Sequence, residues 1–310
     1  MFDYHEGLSK YIEMRRNKVV KNNTEIADRI KILQGKFGGT PLFDDLTKSI
    51  LEAAERCVNE INERPESTLS LISNLRFLFE TSVSVRLLNL EPQHKYRIRY
   101  SIYKHQLEKS QSLTRYASVD KARLDTLIIE EHAIERAYEG KQDFKNEFKD
   151  IDKLYDNLDC EISIFLDSTE QFGAEYQQEI IDNFLESHQL REAEIHREWE
   201  AVKKSLLDDT EACALFDFRG QISKVEKELS DKRSWKEKAA VVGLGSMYEF
   251  IYDYTSSLLH STSYAILTPH RLDEAEIYMI LSLSTRIAND IYKGLQIFGR
   301  IPDMRTFHVE

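Results

Sequence analysis

The sequence predicts an all-α protein: a helical bundle core with long, charged central helices. Three observations carry that expectation. Proline and glycine are scarce, 5 and 11 in 310 residues, too little punctuation for a turn-dense β-sandwich or a collagen-like chain. Between Pro92 and Pro269 there is no proline at all. Apolar residues recur at steps of three and four, and no stretch alternates strictly with period two. With 41% hydrophobic and 31% charged residues, the chain has enough apolar material for a core and a well-solvated surface.

Residues 1–40 form an N-terminal helical segment in this reading. Pro41 (in GKFGGTPLF), Pro65 (after INER), Pro92 (after RLLNLE) and Pro269 (after YAILT) stand where helices begin or end, where proline does least harm. Residues 43–63 place Leu46, Ile50, Ala53, Ala54, Cys57 and Ile61 on one helical face, and 67–90 repeat the pattern through Leu71, Leu75, Leu78, Val85 and Leu88. Segments 94–117, 120–138, 143–166 and 170–206 read as successive helices rich in Glu, Lys, Gln and Leu, all good helix formers. A shorter, less regular part follows at 208–232. Segments 234–266 and 271–298 are the last two long helices. The middle is more charged than its flanks. The expected organisation is therefore a core of 41–117 with 233–300 and a charged helical insertion or hairpin at 118–232. The alternative is one continuous bundle with polar outer helices.

The formal charge is −12, which disfavours a surface that binds nucleic acid throughout but permits a local basic patch. The N-terminal MFDYHEGLSK has no apolar run, so no signal peptide is expected. The uncharged stretch Tyr254–His270 is too short and polar to span a bilayer. Cys57, Cys160 and Cys213 are odd in number and lie far apart, against a disulfide framework or a thiolate zinc site. The expectation is a cytoplasmic protein without membrane contact, cofactor or metal.

One polar constellation stands out. Arg76 and Glu80 are one turn apart in the apolar helix 67–90, with Ser84 continuing the line. In the later helix Tyr248, Tyr252, Ser256 and His260 follow at four-residue steps, a single ridge of polar-tipped side chains. An enclosed Arg needs an anionic partner, and Glu80 is at hand. RNA cleavage without metal needs a base for the 2′-hydroxyl proton and a cation beside the phosphate. His260 suits the first role and Arg76 the second, with Tyr252 or Ser256 orienting them. The other reading is an internal hydrogen-bonded network joining two helices.

At these residues the sequence resembles a family of helical domains of unknown function, widespread in bacteria. It carries the Arg-x-x-x-Glu as Arg76-Phe-Leu-Phe-Glu80, a Ser-Trp segment as Ser234-Trp235, spaced tyrosines, and a Ser-x-x-x-His as Ser256-Ser-Leu-Leu-His260. The resemblance covers roughly 45–117 and 230–270. It implies an α-helical fold and recurring polar positions, but no activity. More distantly the chain is similar to HEPN-type helical domains, many of them metal-independent ribonucleases of defence and toxin systems. Those place an Arg four to six residues before a His. No Arg precedes His260 at that spacing, whereas Arg191-Glu-Ala-Glu-Ile-His196 fits it within a highly charged helix.

Residues 95–104 interleave Lys95, Arg97, Arg99 and Lys104 with Tyr96, Tyr100 and Tyr103. Basic groups can meet phosphates while aromatics stack on unpaired bases, so this is the candidate RNA-binding stretch. Tyr96, Tyr100, Tyr103 and Leu107 also share one helical face, which reads as a packing stripe with a solvated basic flank. His188, Glu192 and His196 are spaced for metal bridging, but their surroundings are charged almost everywhere, as on a solvated face. The one Glu-x-x-His, Glu91 to His94, crosses a helix junction and excludes a ferritin-like di-iron site. Gly243 and Gly245 lack the strand and lysine of a phosphate loop and read instead as a kink or a close helix approach. Two functions follow: a HEPN-like role in nucleic-acid metabolism or defence, as a ribonuclease, or a non-catalytic module whose charged helices bind another protein or a second copy.

Overall fold

The structure is a computed structural model that describes residues 4–36, 41–65, 67–155, 163, 165–166, 173–259 and 272–299. Among the described residues the regular elements are all helical. They are α1 (Tyr4–Lys36), α2 (Pro41–Glu63), α3 (Thr68–Leu90), α4 (His94–Tyr138), α5 (Phe144–Tyr155), α6 (Ala174–Asp208), α7 (Thr210–Leu215), α8 (Ile222–Leu229), α9 (Trp235–Val241), α10 (Gly245–Leu259) and α11 (Glu274–Phe298). Contacts divide the chain into one unit of residues 1–95 and 231–310 and another of 96–230.

In the first unit α3 is the central element, in contact with α2, α9, α10 and α11, while α1 packs on α2 and α11. The sequence explains the position. Leu71, Ile72, Leu75, Leu78, Phe79, Val83, Val85 and Leu87 are buried and spread around the helix, and a helix apolar on nearly all sides is stable only when enclosed. Ser67 caps its start by accepting from the Ser70 amide at 3.3 Å. Reciprocal capping boxes begin α9 (Ser234 with Glu237) and α11 (Asp273 with Glu276), each satisfying amides that the first turn leaves without a helical partner.

The second unit is built on α4 and α6, which run antiparallel. Tyr103 lies against Trp199 with ring centroids 5.3 Å apart, Thr114 reaches Glu192 at 3.2 Å, Lys121 reaches Asp182 at 2.6 Å, and His132 reaches Glu175 at 3.3 Å. Two apolar clusters line this seam. One gathers Tyr96, Trp199, Phe216, Phe218 and Val225 with α7 and α8. The other gathers Ala117, Leu124, Tyr155 and Ile181, with Ile151 of α5 packed on it.

Several boundaries differ from those expected. Residues 94–117 and 120–138 are one helix, because Ser118 and Val119 cost only tenths of a kcal/mol in helix propensity while Ala117, Asp120 and Leu124 keep one buried face running through them. By contacts the chain divides at 95/96 and 230/231; the sequence reading placed the insertion at 118–232. In the N-terminal segment, α1 packs on α2 and α11. The expected helix 234–266 is interrupted after Val242: Gly243 takes φ +75°, the left-handed conformation that commonly ends a helix, and the Leu244 amide donates to the Ala239 carbonyl at 2.7 Å. Residues 260–266 of that segment lie outside the described residues. No described helix is long and apolar enough to cross a membrane.

Helices α3 and α11 approach closely at Gly294, where a Cβ would collide with the Val85 Cγ1. Asn89 uses the gap to donate to the Gly294 carbonyl at 2.9 Å. Gly294→Ala is expected to destabilise the protein by about 1–3 kcal/mol through overpacking. Val85→Ala in the same chain should relieve part of that loss, read as a non-additive coupling in denaturant unfolding.

Candidate functional site

Helices α3 and α10 bring three of the five expected catalytic residues into contact. Arg76 Nε lies 3.2 Å from Glu80 Oε1. The Tyr252 hydroxyl donates to the same carboxylate oxygen, and the Arg76 guanidinium carbon sits 4.1 Å from the Tyr252 ring centroid. Tyr248, one turn earlier, stacks on Tyr252 at 4.0 Å. These groups are partly enclosed: the Arg76 side chain is 33% exposed and that of Glu80 25%. Ser84 turns back onto its own helix, donating to the Glu80 carbonyl at 3.0 Å. Ser256 is half-buried one turn beyond Tyr252. His260 lies outside the described residues.

The charges at this cluster reinforce one another. Burial, and then the Glu80 carboxylate, push the Tyr252 hydroxyl above its ordinary range. At Arg76 burial opposes the charge, but hydrogen bonding to Tyr252 and Glu80 outweighs it and the pKa is raised. Tyr252 thus stays protonated and Arg76 stays charged near neutral pH, so in these states neither is a proton acceptor.

Sequence reasoning missed two further networks in the same unit. Arg86 grips Asp290 of α11 with both arms of its guanidinium, Nε at 2.8 Å and Nη2 at 2.7 Å. Ser82 adds a 2.6 Å hydrogen bond to Asp290, and Arg86 Nη1 reaches the Val242 carbonyl at 3.3 Å. The signal was present: Arg86 is a second cation in the same apolar helix and needs an anion as much as Arg76 does. The other network centres on Arg233, bidentate to Glu91 at 2.6 and 2.8 Å and bonded to Asp231 at 2.9 Å. Burial pushes the Asp231 carboxyl up, but the Arg233 hydrogen bonds outweigh it and hold it at about 2. Beside them His94 is 4% exposed, with neither ring nitrogen hydrogen-bonded.

The basic stretch is placed differently from a base-stacking surface. Tyr100 and Tyr103 lie against Trp199, and the Tyr96 hydroxyl points to Asp209 and Glu211 at 3.2 and 3.3 Å. Lys104 is 3.6 Å from Glu108, and Arg97 lies over the Phe216 ring. Lys95 and Arg99 are both half-buried. Glu192 of the His188–Glu192–His196 ridge accepts from Thr114, and among the described residues no three His, Cys, Asp or Glu are grouped to hold a metal ion.

No family model matches the chain, and neither a curated protein nor a solved structure matches it significantly.

The His94 environment makes acid stability testable. Burial first, and the Lys238 cation second, lower its pKa from the ordinary 6.5 to about 4. A base whose folded pKa is depressed adds stability that is full above its unfolded pKa and is lost as pH falls through the folded one. The unfolding free energy is therefore expected to drop between pH about 6.5 and about 4, by roughly 3 kcal/mol at most. His94→Leu should flatten that drop in urea titrations at successive pH values. An unchanged slope would assign the loss to another group.

Proposed function

We propose that the protein is a non-catalytic helical interaction module, in which the first unit is a rigid body and the charged helices α4 and α6 carry the surface that a protein partner contacts. The observation behind this reading is the closure of the Arg76–Glu80–Tyr252 cluster on itself. One carboxylate oxygen of Glu80 takes both the Tyr252 hydroxyl and the Arg76 guanidinium, and the cation is stacked on the ring. An arginine neutralised in this way is a weak phosphate anchor, because a phosphate would have to displace a carboxylate already in place. The arrangement is well suited to fastening α10 to α3. Large apolar side chains exposed on the outer faces of α4 and α6, including Val119, Ile129 and Leu190, favour protein contact.

The second reading is the HEPN-like, metal-independent ribonuclease. It is favoured by the partial exposure of Arg76 and Glu80 and by Ser256 following Tyr252 on the ridge that His260 continues in sequence. In that reading His260 takes the 2′-hydroxyl proton and Arg76 faces the phosphate.

One experiment separates the two. Purified protein and the variants Glu80→Ala, Tyr252→Phe and His260→Ala are incubated with single-stranded RNA in EDTA, and each is melted. The interaction reading expects intact RNA throughout, with Glu80→Ala and Tyr252→Phe each losing about 1 kcal/mol of stability, a few degrees in melting temperature. RNA cleavage by the wild type that disappears in His260→Ala, at unchanged melting temperature, would establish the ribonuclease instead.

A further inference from the structure

Helices α4 and α6 each carry a second face, opposite the seam they share. On α4 the positions Arg115, Val119, Ala122, Thr126, Ile129 and Ala133 recur at alternating steps of four and three, the spacing of a helix-packing seam. All are exposed, with Val119 at 58% and Ile129 at 66%. On α6 the positions Tyr176, Ile180, Asn183, Ser187, Leu190 and Glu194 recur with the same alternation. All but the half-buried Glu194 are exposed, Leu190 at 67% and Ile180 at 40%. On each face two exposed aliphatic side chains, Val119 and Ile129 or Ile180 and Leu190, stand on one such seam.

We propose that these two faces dock on each other between copies of this chain, the outer face of α4 in one copy lying antiparallel on the outer face of α6 in the next. The proposal rests on the reading of these helices as an interaction element and identifies the partner as a second copy. The two patterns are complementary in a single register. Val119 set against Leu190 also sets Ile129 against Ile180, since both pairs are ten residues apart. The same alignment brings Ala133 to Tyr176, small against large, and Ala122 to Ser187, two small side chains where the helices cross closely.

Charge follows the apolar match. Arg115 and Arg123 lie four residues to either side of Val119, and Glu194 and Glu186 lie four residues to either side of Leu190. In the antiparallel register Arg115 meets Glu194 and Arg123 meets Glu186. Glu194 already pairs with Arg191 of its own helix, so the contact there becomes an arginine–carboxylate–arginine bridge. One contact opposes the register: Glu130 falls near Glu179, a like-charge pair.

The two outer faces point away from each other across the α4–α6 seam, so a pair of copies cannot satisfy both. Each addition leaves one α4 face and one α6 face open. The contact is heterologous, and repetition gives a head-to-tail chain of copies rather than a closed dimer. Inside one copy Lys121 faces Asp182, whereas between copies Ala122 faces Ser187. Taken from that pair, successive copies are staggered by about six residues, or about 9 Å along the helices.

Sedimentation of the full chain over a wide concentration range tests this. The wild type is expected to gain mass with concentration beyond a dimer. Val119→Asp and Leu190→Asp, each with an unchanged circular-dichroism spectrum, should sediment as monomers alone and form a one-to-one heterodimer when mixed, because each retains the face the other lacks. Glu130→Lys should strengthen association several-fold. A wild type that stays monomeric, or single variants that assemble like it, would overturn the docking. A mixture that forms no heterodimer would overturn the head-to-tail arrangement, and unchanged association in Glu130→Lys the register. None of these results bears on RNA cleavage, so self-docking can fail while the non-catalytic reading stands.

Discussion

Where α11 passes α3, Gly294 makes room for the Val85 side chain and Asn89 bonds across the gap to the Gly294 carbonyl. That close passage, with α2, α9 and α10 on the remaining sides, encloses much of α3. The consequence reaches the charged side chains the helix carries. A charge withdrawn from water without a partner costs several kcal/mol, so each has to be met by a neighbouring element. Arg86 is met by Asp290 and Arg76 by Glu80 and Tyr252. Glu91, just past the end of α3, is met by Arg233. These three ion pairs, at or next to α3, follow from one helix being surrounded.

Local relations were legible in the sequence and distant ones were not. Arg76 and Glu80 could be paired by eye because they are one turn apart, and the Tyr248–Tyr252 ridge was visible as a four-residue step. That Tyr252 meets Glu80 required only that two ridged helices pack side by side. Arg86 and Asp290 stand 204 residues apart, and no spacing rule connects them. A glycine inside a helical pattern looks the same whether it bends the helix or ends it, and Gly243 ends it. The reverse holds at 118–119, where polar and β-branched residues suggested a boundary that the buried face of Ala117 and Leu124 overrides. The tyrosines of 95–104 carried both readings in sequence. Trp199, about a hundred residues on, decides which surface they face.

The proton inventory of the α3–α10 cluster limits what it can do. Tyr252 is held protonated and Arg76 charged, and the two stabilise the same carboxylate. Neither of these two is a proton acceptor; the groups of that kind here are the Glu80 carboxylate and, on the same ridge in sequence, His260. In the proposed reading the cluster acts as an electrostatic fastener. In such a cluster, replacing one member leaves the others without a partner, which is why breaking it costs more than forming it contributes.

In the second unit the same principle operates with opposite sign. Its helices have ample solvent, so their charges need no partners to be tolerated, and exposed ion pairs such as Lys104–Glu108 contribute little. What does need explanation there is apolar surface, because water penalises an exposed isoleucine or leucine without any compensating hydration. A chain of net charge −12 repels its own copies at long range, but at physiological salt that field decays within about 8 Å. Contacts closer than that are governed by which side chains meet, not by the total. On α4 and α6 the residues that would meet are a row of apolar side chains flanked by arginines and an equivalent row flanked by glutamates, so the short-range terms favour association where the long-range term opposes it.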